Sequence, residues 1–209
     1  DVAESVLVLT PLLIGHGLEL APEKSLVYAP NCSERELECF VSLGIPVAIA
    51  GMTVLGVPVG SDQFEQDTIN EFAKVKLSRS FAAISNLQHF QTRLHILRFC
   101  ALPQLSNHFR CTPPRFSSNA AAIQDDSVRR CLKEILGDTQ EDWARILSQA
   151  SLPRSSAGMG LPIAAETAWA AYLSSFAQAL KIFAEDSSNT EIKIYPLLVA
   201  SGPRVNEVN

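Results

Sequence analysis

The chain has 209 residues, 47% of them apolar and 19% charged, which places it among ordinary globular proteins and excludes a disordered or low-complexity chain. Its net charge is −5, from 17 basic and 22 acidic side chains, so bulk charge gives no support to autonomous nucleic-acid binding and leaves room only for a local basic groove. The five cysteines, Cys32, Cys39, Cys100, Cys111 and Cys131, are odd in number and form no CxxC pair, which favours reduced thiols in a cytoplasmic or nuclear setting over a disulfide scaffold.

The opening Asp1-Val2-Ala3-Glu4 has no basic n-region and does not read as a signal peptide. The apolar run Val6–Ile14 is interrupted by Thr10 and Pro11 and is about half the length that crosses a bilayer, so no membrane partner is expected. Residues 2–15 read as a buried helix stopped by Gly15 and Gly17. A short strand is expected over Lys24–Tyr28, bounded by Pro22 and Pro30. Ser33-x-x-Glu36 is a capping box that opens a helix to about Leu43. Val47–Ala50 and Met52–Val57 are apolar, β-prone runs with Gly51 between them, read as a tight hairpin or a bulged pair.

At Ser61 the pattern changes. Asp62 can cap a helix, and Ile69, Ala73, Leu77, Phe81 and Ile84 then recur at helical spacing. Leu87, Phe90, Leu94, Leu97, Ala101 and Leu105 form a second such stripe, with Pro103 kinking or ending it. Pro113-Pro114 and the Ser/Asn residues after it read as a loop. Helix resumes from about Asn119 to Leu136 and is closed by Gly137. A second capping box, Thr139-x-x-Asp142, starts a short helix through Gln149, and Pro153–Pro162 is a glycine-bearing loop. Ile163–Phe183 is an Ala-rich helix with four aromatics. The fold class is therefore α+β and mostly helical: a small antiparallel β piece over 1–60, a helical bundle over 61–185, and an unassigned tail over 186–209.

Three blocks could carry chemistry. Gly17-Leu18-Glu19-Leu20-Ala21-Pro22-Glu23-Lys24 reads on its own as a helix stop, a turn and a solvated lysine. Leu55-Gly56-Val57-Pro58-Val59-Gly60 precedes a helix but lacks the Lys-Ser/Thr of a phosphate loop. Leu152-Pro153-Arg154-Ser155-Ser156-Ala157-Gly158-Met159-Gly160-Leu161 contains GxG without the strand and third glycine of a dinucleotide fingerprint. In this order and at these separations, the set resembles the region after the catalytic turn in reverse transcriptases of non-LTR retrotransposons. There a Gly-Leu-x-Leu-Asn-x-x-Lys stretch, a Leu-Gly-x-Pro-x-Gly segment and a Leu-Pro-x-x-x-Gly-Gly-x-Gly-Leu loop follow one another.

The resemblance spans roughly residues 12–180 and implies the last palm elements followed by a helical thumb. By it, Lys24 assists near the incoming nucleotide's phosphates, and Leu55, Gly56, Val57 and Pro58 help hold the primer end. An RNA or DNA template–primer duplex and the upstream polymerase region become the expected partners. On the residues alone, Arg93 and Arg98, with Arg110, Arg115, Arg129, Arg130 and Lys133, read first as a solvated face balancing nearby acids; by the resemblance, one face of them would track the duplex backbone.

Two departures stand out. The usual Gly-Gly pair is Ala157-Gly158, and no Tyr/Phe-x-Asp-Asp is present, since Asp125-Asp126 follows Ile123-Gln124 within a helical stretch. Two-metal chemistry needs fixed carboxylates, so the Mg2+ of the family enzyme has no expected site in this sequence, and a fragment inactive by itself is implied. The alternative is a helical protein-interaction domain without polymerase function. His95, Cys100, His108 and Cys111 match no standard zinc spacing, and no Gly-x-Ser-x-Gly elbow appears. Because the strands over 24–28 and 47–57 would leave edges unpaired, residues 1–60 are expected to be less stable than the helical part, or to associate with another chain.

Overall fold

A computed structural model describes residues 2–30, 32–137 and 142–186. They form a mostly helical α+β protein whose internal contacts divide into two units, residues 1–65 and 66–209. The division falls inside a helix, a turn later than the change in sequence pattern at Gly60-Ser61.

In the first unit, α1 (Val2–Gly15) carries Pro11 inside it, and the Thr10 hydroxyl donates 2.7 Å to the Val6 carbonyl. The helix is where the sequence puts it, but it is not buried. Leu7, Val8, Leu9, Leu12 and Ile14 are all exposed, because a helix apolar on most sides would need cover all round, and only the side carrying Val6, Thr10 and Leu13 is half-buried. The chain then makes a 3-10 turn over Pro22–Lys24, so Lys24 ends a turn rather than starting a strand. Strand β1 (Val27–Tyr28) pairs with β2 (Val47–Ala48), and the pairing is parallel, not antiparallel. Helix α2 (Glu34–Ser42) lies between them as a crossover, which returns the chain in the same direction. The Ser33 carbonyl accepts from Leu37 N–H at 3.2 Å, and the Glu36 side chain lies outside the described groups.

β3 (Gly51–Val54) and β4 (Val57–Gly60) form an antiparallel hairpin in register Gly51↔Gly60 to Val54↔Val57. Gly51 is thus not the turn; Leu55-Gly56 is. Both have positive φ, 51° and 83°, as a two-residue hairpin turn matched to strand twist requires. Gly51 serves close approach instead, since a Cβ there would come 2.2 Å from a ring carbon of Phe64. The Gly60 N–H donates to Glu65 Oε1 at 3.2 Å, tying the hairpin to the helix that follows.

In the second unit, α3 (Asp62–Phe72) runs through a π-turn over Ala73–Leu77 into α4 (Ser78–Ser85). Ile69, Ala73, Leu77, Phe81 and Ile84 are all buried. Their four-residue steps overshoot a 3.6-residue turn by about 40° each. The i→i+5 bonding of the π-turn takes up the excess and keeps the stripe on one face. The same device recurs after α5 (Phe90–Ile96), where a π-turn over Leu97–Ala101 and a 3-10 turn over Leu102–Leu105 lead into α6 (Ser106–Cys111). Leu97, Ala101 and Leu105 are fully buried, whereas Phe90, expected in this stripe, faces water. Pro103 sits in the 3-10 turn and bends the helix without ending it.

α7 (Pro114–Leu136) begins where a loop was expected. Pro114 takes the first helical position, where a missing N–H costs nothing, and the following Ser117 is buried within the bundle. α8 (Trp143–Ser151) is capped by Asp142, whose carboxylate accepts from Ala144 N–H at 2.9 Å. Thr139 lies outside the described residues. α9 (Ala164–Asp186) closes the unit against α6 and α7. The apolar segment Ile192–Val199 also lies outside the described residues.

Candidate nucleic-acid interface

The residues singled out by sequence fall into both units. Lys24 is exposed at the end of its 3-10 turn. Leu55, Gly56, Val57 and Pro58 make one object, the tip and first rungs of the β3–β4 hairpin. Pro58 is buried, and Leu55 is 94% exposed in a left-handed conformation that a branched residue adopts at a cost of about 1–2 kcal/mol. The tip therefore holds an apolar side chain out in water on a turn that disfavours it.

Arg93 and Arg98 do not share a task. Arg93 Nη2 donates 2.7 Å to the Ser85 carbonyl, and its Nε donates to the Leu87 carbonyl. It satisfies carbonyls left over at the end of α4 and closes the α4–α5 connection, so its guanidinium is committed to the fold. Sequence reasoning took it for an interface cation because a charge six to eight residues past a helix end carries no pattern of its own. Arg98 belongs to the loop at 152–161. A Cβ on Gly160 would lie 2.9 Å from Arg98 Cζ and Nη2, so the guanidinium rests along the Gly160 backbone. Arg98 Cζ also lies over the Phe99 ring, 5.1 Å from its centroid.

The loop explains its glycines. Gly158 N–H donates to Pro153 O at 3.0 Å, Gly160 N–H to Leu152 O at 2.9 Å, and Leu161 N–H to Ala150 O at 3.1 Å. A Cβ on Gly158 would sit 2.0 Å from the Leu152 carbonyl oxygen. Gly160 has φ 66°, and Ala157 has φ 59°. Ala157 thus occupies a left-handed position that glycine takes without strain.

The larger feature is a separation of charge. Residues 72–124 contain seven of the 17 basic side chains (Lys74, Lys76, Arg79, Arg93, Arg98, Arg110 and Arg115) and none of the 22 acidic ones. The whole stretch from 73 onward belongs to the helical unit. Lys74, Lys76, Arg79, Arg110 and Arg115 are exposed. By contrast, Arg129 and Arg130 both pair with Asp126, which removes them from the set of interface cations.

Asp125 and Asp126 do not suit a pair of Mg2+ ions. Asp125 Oδ1 accepts from Ala164 N–H at 2.7 Å and Oδ2 from Ala165 N–H at 3.0 Å, which makes this carboxylate the N-terminal cap of α9. Burial raises its pKa, against the two backbone N–H groups of Ala165 and Ala164, which favour the carboxylate, and the negative charge of Glu166 adds to the rise. Asp126 is engaged by its two arginines. Adjacent helical residues also point about 100° apart. Among the described residues, no three His, Cys, Asp or Glu side chains are grouped to hold a metal, and no helix is long and apolar enough to cross a membrane.

His108 is buried against Phe72, ring centroids 4.7 Å apart and edge to face, and burial followed by the charge of Lys76 lowers its pKa. The Cys131 thiol is pushed up to about 11 by burial first, then by Glu134, with Arg93 opposing, so it is no nucleophile at neutral pH. Cys32, Cys100 and Cys111 are exposed free thiols.

No protein-family model, no curated protein and no solved structure matches the chain.

Proposed function

We propose that the helical unit contacts the sugar–phosphate backbone of a template–primer duplex, as the non-catalytic, thumb-like part of a chain related to the reverse transcriptases of non-LTR retrotransposons. The observation that carries this reading is the acid-free basic stretch over 72–124 within a protein of net charge −5. Positive charge is gathered on one helical unit, where it can release counterions from a polyanion even though bulk charge is unfavourable. Glycines at Gly158 and Gly160 that the backbone demands, and a Leu-Gly turn that presents an exposed leucine, support the motif resemblance. Lys24 would then lie toward a nucleotide site that needs carboxylates this sequence does not contain in a Tyr/Phe-x-Asp-Asp context.

The test is binding of a fluorescent primer–template duplex, followed by anisotropy as a function of salt. Each phosphate neutralised contributes a slope of about −0.9 in log K against log salt. Lys74→Gln with Arg79→Gln should flatten the slope by about 1–2. A slope near zero, or no binding at low salt, refutes the reading. A second reading, a helical protein-interaction domain, is favoured by the exposed apolar residues Trp169 and Leu173 on α9.

A further inference from the structure

Phe99 is used neither by the core nor by backbone contact with a duplex. It sits in the π-turn that follows α5 and is 62% exposed, although its neighbours Leu97 and Ala101 are fully buried. An exposed phenyl ring is ordinary by itself; its surroundings are not. Arg98 Cζ lies over the ring, 5.1 Å from its centroid, and the backbone of Gly160 lies against the same guanidinium. The His95 ring meets Phe99 edge-on at 6.1 Å, with 67° between planes. Arg154 Nη2 lies 3.5 Å from His95 Nε2. The ring thus contacts one arginine and a histidine, and a second arginine reaches it through that histidine. Neither the stretch over 72–124 nor the loop from Pro153 to Ile163 contains a carboxylate.

We propose that Phe99 is a stacking platform for one base of a single-stranded nucleic acid, with Arg98 and Arg154 holding the adjoining phosphates. The inference rests on the polyanion reading above and goes further, because a base inside a duplex has no free face for a ring. Single-strand sites combine an aromatic platform with fixed cations along the backbone. Arg98 already contacts both the ring and the Gly160 backbone, so part of its side-chain freedom is given up before binding. Gly160 contributes by having no side chain. Any Cβ there would press on the guanidinium. The guanidinium lies over one face of the ring, so the base would stack on the other.

The experiment uses the full chain and three labelled probes: an oligothymidylate of about 12 nucleotides, within the site sizes such platforms cover, an abasic strand of equal charge, and a primer–template duplex. Wild type should bind the oligothymidylate about five- to 150-fold more tightly than the abasic strand, the range for a single stacked base. Phe99→Ala should bring the oligothymidylate down to the abasic level and leave the duplex unchanged, while Phe99→Trp should restore the preference. Arg98→Gln should weaken both single strands. Equal binding of the two single strands by wild type, or a preference that survives Phe99→Ala, overturns the stacking platform while leaving duplex contact standing. Failure of all three probes to bind overturns both.

Discussion

Replacing Gly158 with alanine tests whether the loop over 152–161 is held by backbone contact. The new Cβ would start 2.0 Å from the Leu152 carbonyl oxygen and 2.3 Å from its carbon, both main-chain atoms that no rotamer change can move. Ordinary contact begins near 3.4 Å, so the two segments must part by about 1.4 Å. That distance breaks the bonds from Gly158 N–H to Pro153 and from Gly160 N–H to Leu152, now 3.0 and 2.9 Å. At about 1 kcal/mol each, these account for roughly 2 kcal/mol. Partial uncovering of Leu161, 3% exposed in the native fold, adds about 1 kcal/mol. The total of about 3 kcal/mol corresponds to a fall in Tm of roughly 6–12 °C for a chain of this size.

Gly160→Ala is the control. It faces a left-handed φ and a side chain that can swing away, so about 1–2 kcal/mol is expected. Thermal unfolding followed by circular dichroism ranks the two. If Gly158→Ala is within about 1 kcal/mol of wild type, or if Gly160→Ala is the worse of the pair, the backbone argument for this loop fails.

Two further outcomes follow from the same geometry. Ala157→Gly relieves a left-handed alanine worth about 1–2 kcal/mol and gives back about 0.5–1 kcal/mol of unfolded-state entropy, so denaturant midpoints should rise slightly rather than fall. His108 has a lowered pKa in the fold, so the unfolded chain takes up a proton that the folded chain resists. Its contribution is present above the ordinary value of 6.5 and is lost as pH falls through the folded value. Urea midpoints between about pH 7 and pH 5 should therefore decline more steeply for wild type than for His108→Phe, and parallel curves would remove this histidine from the account.

Much of the helical unit could be read in advance because packing there is periodic. Ile69, Ala73, Leu77, Phe81 and Ile84 announce one buried face, and Gly137 marks where α7 stops. What periodicity misses is the purpose of single residues. Gly51 looks like a turn because it separates two apolar runs, yet it is glycine so that the Phe64 ring can lie on it. Ser117 and Ser118 look like loop, but Pro114 has already started a helix. Arg93 looks like an interface cation, while its work is to close a chain connection through two carbonyls. At the candidate site, Arg98 was legible as a charge. Its contact with Gly160 was not, because the two come from segments about 60 residues apart, and a single sequence carries no signal for that contact.

Helix α1 has one more implication. An amphipathic helix has a preferred rotation about its own axis, because only one side gains by being covered. On α1 the half-buried Val6, Thr10 and Leu13 recur at i, i+4 and i+7 and make one covered side, while Leu7, Val8, Leu9, Leu12 and Ile14 spread over the remaining circumference and are exposed. The covered side sets the rotation of the helix within its own unit and leaves a broad apolar arc over. A partner seated on that arc has several rotations of similar energy open to it, so contacts there would be adhesive without being selective, and specificity in any assembly of this chain would have to come from elsewhere on the molecule.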